Sequence, residues 1–209
     1  MSTRTVYANF GRLAAAVACV ISASCGGELM RTGRSPVMLV IDNMSATPGG
    51  GGAAAAFLLS DVQVLVDQTI NGVTVQVPTI FNDSLTATLR SMEKNPNATA
   101  TPVNGVTLTR YRVVFRRADG RNTPGVDVPF GFDGGLGLTI NPGNTAQVSL
   151  DLVRHQAKLE PPLKNLANTG GLGFISAIAD VTFYGRDQNG NEVSVTGSLD
   201  VHFGDFGDE

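Results

Sequence analysis

Tryptophan is absent from this sequence, tyrosine occurs only three times, and there are two cysteines and two histidines. Each scarcity excludes something. Two cysteines cannot build a disulfide framework. The cysteine pair and core tryptophan of true immunoglobulin domains are missing as well. No G-x-S-x-G nucleophile elbow occurs. The glycine run Gly49–Gly52 is not followed by Lys-Ser/Thr, so it is not a phosphate-cradling loop. A net charge of −3 does not suit a nucleic-acid binder, which needs a basic face. No apolar run reaches the roughly 20 residues of a transmembrane helix.

The longest stretch without charge near the start is Leu13 to Ser24, and Arg4 and Arg12 are the only charges before it ends. A basic segment, a short apolar core and an exit through small residues make a secretory signal peptide over residues 1–24. Ile21-Ser22-Ala23-Ser24-Cys25 resembles the lipobox of bacterial lipoproteins, although Ser22 stands where that family prefers leucine. The resemblance covers the first 25 residues or so. It implies cleavage before Cys25, alkylation of the Cys25 thiol by a diacylglyceryl group, and acylation of the new amine. With Gly26 rather than aspartate next, it implies an outer-membrane address in the cell envelope. Cleavage there also removes Cys19 and leaves one thiol, which a thioether protects from oxidation. Two or more acyl chains give stable anchoring where one does not. Ordinary cleavage after Ser24 with secretion is the alternative, and a buried N-terminal helix is a third reading. Loss of the leader takes away two arginines and no acid, so the charge moves from −3 to −5.

Residues 25–35 read as a flexible polar tether, 36–204 as one domain, and 205–209 as an acidic tail that frays. Within the domain, alternation of apolar and polar residues predicts strands. Val37–Ile41 is a first short strand. Val62, Val64 and Val66, then Asn71-Gly72, then Val73, Val75 and Val77 predict a hairpin. Leu85, Ala87 and Leu89 alternate. Val106 and Leu108 change phase against Tyr111, Val113 and Phe115, which predicts a β-bulge near Thr109-Arg110. Residues 126–132 are expected to pair back, and Val148–Leu152 follows a turn at Asn141-Pro142-Gly143. The alanines at 53–56 are read as a loop or the start of a helical turn. Pro161-Pro162 leaves room for one helical turn at 163–167. The last hairpin sets Ala177, Ala179, Val181 and Phe183 against Val193, Val195, Leu199, Val201 and Phe203. About eight strands and almost no helix predict an all-β fold, an antiparallel β-sandwich immunoglobulin-like or fibronectin-like in outline. A closed barrel is the alternative.

Candidate chemistry is sparse. His202 lies on the polar face of the final strand and reads as a solvated edge residue; His155 follows a strand beside Arg154. Asp187-Gln188-Asn189-Gly190-Asn191 has the oxygen spacing of the start of a calcium loop, but Ser198 stands where the closing glutamate belongs, and turn-forming is the simpler role. Gly171-Leu172-Gly173-Phe174 matches the carboxylate-binding loop of PDZ domains without enough chain after it to complete that fold. Asn43, Asn82 and Asn97 begin glycosylation sequons, which are chance matches if the source is bacterial, as the lipobox resemblance implies. Arg110, Arg112 and Arg116 are spaced by even numbers, so they share one strand face, which reads either as a solvated face or as the candidate contact for an acidic protein or polysaccharide. No cofactor, metal ligand set or catalytic residue is assigned. The sequence thus points to a lipid-anchored envelope domain with a non-enzymatic binding or structural role. An envelope enzyme with its site in the loops at 118–145 or 154–174 is one alternative, and a carbohydrate-binding module another.

Overall fold

The computed structural model describes residues 33–206; Cys25, the lipobox and the leader lie outside the described residues. The chain is all-β, with ten strands among the described residues. They are β1 Val37–Thr47, β2 Phe57–Asp61, β3 Val64–Ile70, β4 Val73–Thr79, β5 Asp83–Glu93, β6 Val106–Arg116, β7 Phe132–Ile140, β8 Thr145–Val153, β9 Phe174–Asp187 and β10 Glu192–Gly204. One helical turn, α1 (His155–Lys158), and a 3₁₀ turn at Leu163–Leu166 fill the connection from β8 to β9. No described helix is long and apolar enough to cross a membrane.

Three sheets result. β1, β5 and β8 form one, β2-β10-β9-β6-β7 a second, and β3 with β4 a separate two-stranded ribbon. Period-two alternation sends Leu85, Ala87 and Leu89 of β5 inward, together with Val181 and Phe183 of β9 and Val201 and Phe203 of β10. These residues belong to one hydrophobic cluster that draws on both large sheets. Phe115 and Phe203 meet edge-on within it, ring centroids 5.6 Å apart. β1 crosses β10 closely at Gly197, where a β-carbon would lie 2.7 Å from Met44 Cε and 2.8 Å from Ile41 Cδ1.

Three features depart from the sequence reading. β2 is a strand that the alanine run before it does not announce, and it pairs with β10 in parallel, so the larger sheet is mixed. The strand following β6 is β7, not residues 126–132; Pro124 and Val128 there form only an isolated bridge. Glycines 134, 135 and 137 lower the strand propensity of β7, yet the Tyr111 ring occupies the space that a side chain at Gly134 would need. Finally, the chain beyond Gly204 is packed for two more residues. Asp205 Oδ2 accepts from the Gly170 amide at 3.2 Å, and the Phe206 ring covers Gly204. Other expectations match: the register slips between Leu108 and Arg110 in both ladders of β6, and Asn71 and Gly72 turn the ribbon at φ 54° and 80°.

Candidate functional site

The best-built polar cluster is one the sequence reading missed. Asp83 opens β5 in phase with Leu85, Ala87 and Leu89, so its carboxylate points inward. Ser60 sits inward on β2 in phase with Leu58, and Lys158 reaches in from the end of α1. The Lys158 and Asp83 side chains are 1% and 0% exposed. Lys158 Nζ lies 3.0 Å from both carboxylate oxygens. The Ser60 hydroxyl donates to Oδ2 at 2.6 Å and the Gly49 amide donates to Oδ1 at 2.7 Å. Gly49 is required at this approach: a β-carbon there would lie 2.5 Å from Phe81 Cβ. The glycine run is thus a backbone device that carries one amide to a buried carboxylate. Charges are buried only when paired and hydrogen-bonded, and every polar atom of this cluster meets that condition. The phase of Asp83 with the buried stripe is readable in the sequence. Lys158, on a single helical turn, carries no periodic signal.

Arg110, Arg112 and Arg116 do share the outward face of β6. They are not a free cationic row. Arg110 and Arg112 both donate to Asp133, at 2.8 and 3.0 Å, and the hydrogen bond from Arg112, despite some desolvation, holds that carboxyl below its ordinary range. Arg116 donates to Asp180 at 2.6 Å, and Ser198 adds a second donor. Desolvation raises the Asp180 carboxyl, but those two donors bring it below the usual value. Arg110 also lies flat on Tyr184, 3.7 Å from the ring centroid. Three guanidinium groups therefore face two carboxylates, and the surplus is one charge.

The two histidines occupy separate places. His202 sits within β10 between Leu59 of β2 and Ser176 of β9, so it is on an interior strand rather than an edge. His155 holds Asn82 instead of a carboxylate: its backbone amide and Nδ1 lie 2.7 and 3.0 Å from Asn82 Oδ1. Asn82 Nδ2 in turn donates to Asp151 at 3.3 Å. Among the described residues no group of three or more His, Cys, Asp or Glu is placed to hold a metal ion. Asp187 is consumed by its own turn, accepting from the amides of Asn189 and Asn191 and from Asn191 Nδ2 at 2.8–3.0 Å. Burial raises its carboxyl, yet these donors bring it below the ordinary carboxylate range. Leu172 is almost fully exposed, and Phe174 begins β9.

The loops 118–145 and 154–174 meet at one cleft of about 160 Å³, where Phe130 and Phe132 face Arg154, Gln156, Glu160 and Pro161. Arg154 stacks on Phe132 at 3.8 Å and donates to the Asp133 carbonyl at 3.0 Å. It also hydrogen-bonds Tyr111, whose hydroxyl is nevertheless pushed up by burial.

A continuous exposed apolar stripe belongs to the ribbon. Its two strands pair without a register break from Val64↔Thr79 to Ile70↔Val73. Val66, Ile70, Val73, Val75 and Val77 alternate onto one face, with Ile70 51% and Val73 61% exposed. Between Val64 and Thr79 the one charged residue is Asp67, on the opposite face. No family model, curated protein or solved structure matches the chain.

Proposed function

We propose that this protein is a non-enzymatic binding module of the bacterial cell envelope, held to the membrane by acylated Cys25 and presenting the β3–β4 ribbon to a protein partner. In this reading the two large sheets lie face to face as an open sandwich, immunoglobulin-like in outline. The core shared by both sheets and the contact of Ile41 and Met44 with Gly197 support that outline.

The ribbon carries the functional proposal. A two-stranded hairpin standing alone in water is marginal, and an uncharged edge invites another strand. Position adds to this. The chain enters β1 at Val37, while the ribbon root at Val64 lies beside Gly50, just past the other end of β1 at Thr47. Eleven residues of strand span about 35 Å. The ribbon thus stands at the pole away from the tether, facing outward from the lipid.

A second reading, a small-ligand or carbohydrate site with or without catalysis, is favoured by the cleft that joins the two candidate loops. Its volume of about 160 Å³ falls below the ~300–1,000 Å³ of ordinary ligand pockets. The binding-module reading therefore stands first.

Two measurements test it. Wild-type protein is expected in the membrane fraction with an acylated N-terminal peptide, and Cys25→Ser in the soluble fraction; an unmodified peptide beginning at Cys25 removes the anchor. A photo-crosslinking residue at Val73 is expected to capture a partner in intact envelopes, whereas one at Thr196, on the outer face of the large sheet, is not. The reverse pattern would move the contact surface to that sheet.

A further inference from the structure

We propose that Lys158 and Asp83 condense into an intramolecular amide, a cross-link between α1 and the first residue of β5 made by the fold itself. The reacting groups are already assembled, with Nζ 3.0 Å from each carboxylate oxygen and both side chains sealed from water. Groups held at such distances react as though at very high concentration, because translational and rotational freedom has already been given up in folding. The site also removes the solvent that opposes condensation. The ion pair keeps two charges in a low-dielectric interior, and the amide keeps none.

The surrounding donors suit the step. A proton passes from the ammonium to Asp83 Oδ2, leaving a neutral amine and a carboxylic acid. The amine lone pair attacks Cγ, forming the Nζ–Cγ bond and placing negative charge on Oδ1, where the Gly49 amide already donates at 2.7 Å. A preorganised N–H aimed at a developing oxyanion is the arrangement that stabilises acyl transfer. The Cγ–Oδ2 bond then breaks. Ser60, 2.6 Å from Oδ2, relays a proton from nitrogen to the departing oxygen, which leaves as water. Atoms and electrons balance with no oxidant, reductant or added reactant. Asp83 Oδ1 becomes the amide oxygen and keeps the Gly49 hydrogen bond.

The digest of folded wild-type protein decides the matter. Trypsin cuts after Arg34, Arg90, Arg154 and Lys164, and after Lys158 only if its amine is free. The cross-link predicts one branched peptide, residues 35–90 joined to 155–164, at the summed mass less one water. Lys158→Arg should give no branched peptide. Ser60→Ala should slow its appearance in a refolding time course by about a hundredfold or more, the usual cost of losing a positioned proton-transfer group. Wild-type protein that yields only the linear peptides 155–158 and 159–164 after prolonged incubation overturns the proposal, whether or not either variant folds.

Discussion

Two hairpins in this molecule are built by the same local rule and end in opposite circumstances. β3–β4 and β9–β10 each alternate apolar and polar residues around an Asn-Gly turn, at Asn71-Gly72 and Asn189-Gly190. β9–β10 has β6 on one side and β2 on the other, and its apolar stripe is buried in the hydrophobic cluster to which β1 and β5 also contribute. The β3–β4 stripe has no third strand among the described residues. Local pattern decides that a hairpin forms; the neighbours decide whether its apolar face is core or surface. The difference also separates stability from recognition. A residue whose burial is complete contributes to folding, and one left half-exposed is available to something else.

Substitutions can break that contrast, and the largest effect belongs to the buried hairpin. Phe183→Ala should destabilise the domain by about 3–5 kcal/mol in denaturant unfolding. Removing Lys158, as in Lys158→Met, should cost at least about 3–5 kcal/mol, because a lone buried carboxylate is left behind and the proposed cross-link cannot form. Asp187→Ala should cost about 1–2 kcal/mol through three lost hydrogen bonds at the β9–β10 turn. The Asp187 carboxyl sits below its ordinary value in the folded protein. Its contribution is therefore present above about pH 4, the unfolded value, and is lost as pH falls through the folded one. The acid limb of an unfolding-versus-pH series should flatten in Asp187→Ala. The smallest effect is expected on the ribbon: Val73→Thr should change stability by no more than about 0.5 kcal/mol while reducing crosslinking from that face. Amide exchange should show the same order, fast across 64–79 and slow across 177–203. Equal protection of the two hairpins would remove the contrast.

Much of this architecture was legible in the residues. The bulge in β6, both Asn-Gly turns and the inward stripe of the last hairpin follow from spacing alone. β2 was hidden because it is short and follows an alanine run, and because its parallel partner lies far along the chain. β7 was hidden by glycines whose purpose, making room for the Tyr111 ring, belongs to tertiary packing. The candidate site was less legible. Arg110, Arg112 and Arg116 do share a face, but the carboxylates that quench them sit on β7 and β9, and no local pattern announces that pairing. The Asp83 cluster gathers residues from four separate stretches, and only the phase of Asp83 hints at it.

The parallel pairing of β2 with β10 sets an order of assembly. β2 is synthesised early, yet its neighbour in the sheet is the last strand of the domain. A nascent chain stopped before Glu192 offers β2 no ladder and leaves one side of β9 open. The larger sheet can close only when β10 has emerged, more than 130 residues after β2, and such distant pairing slows folding.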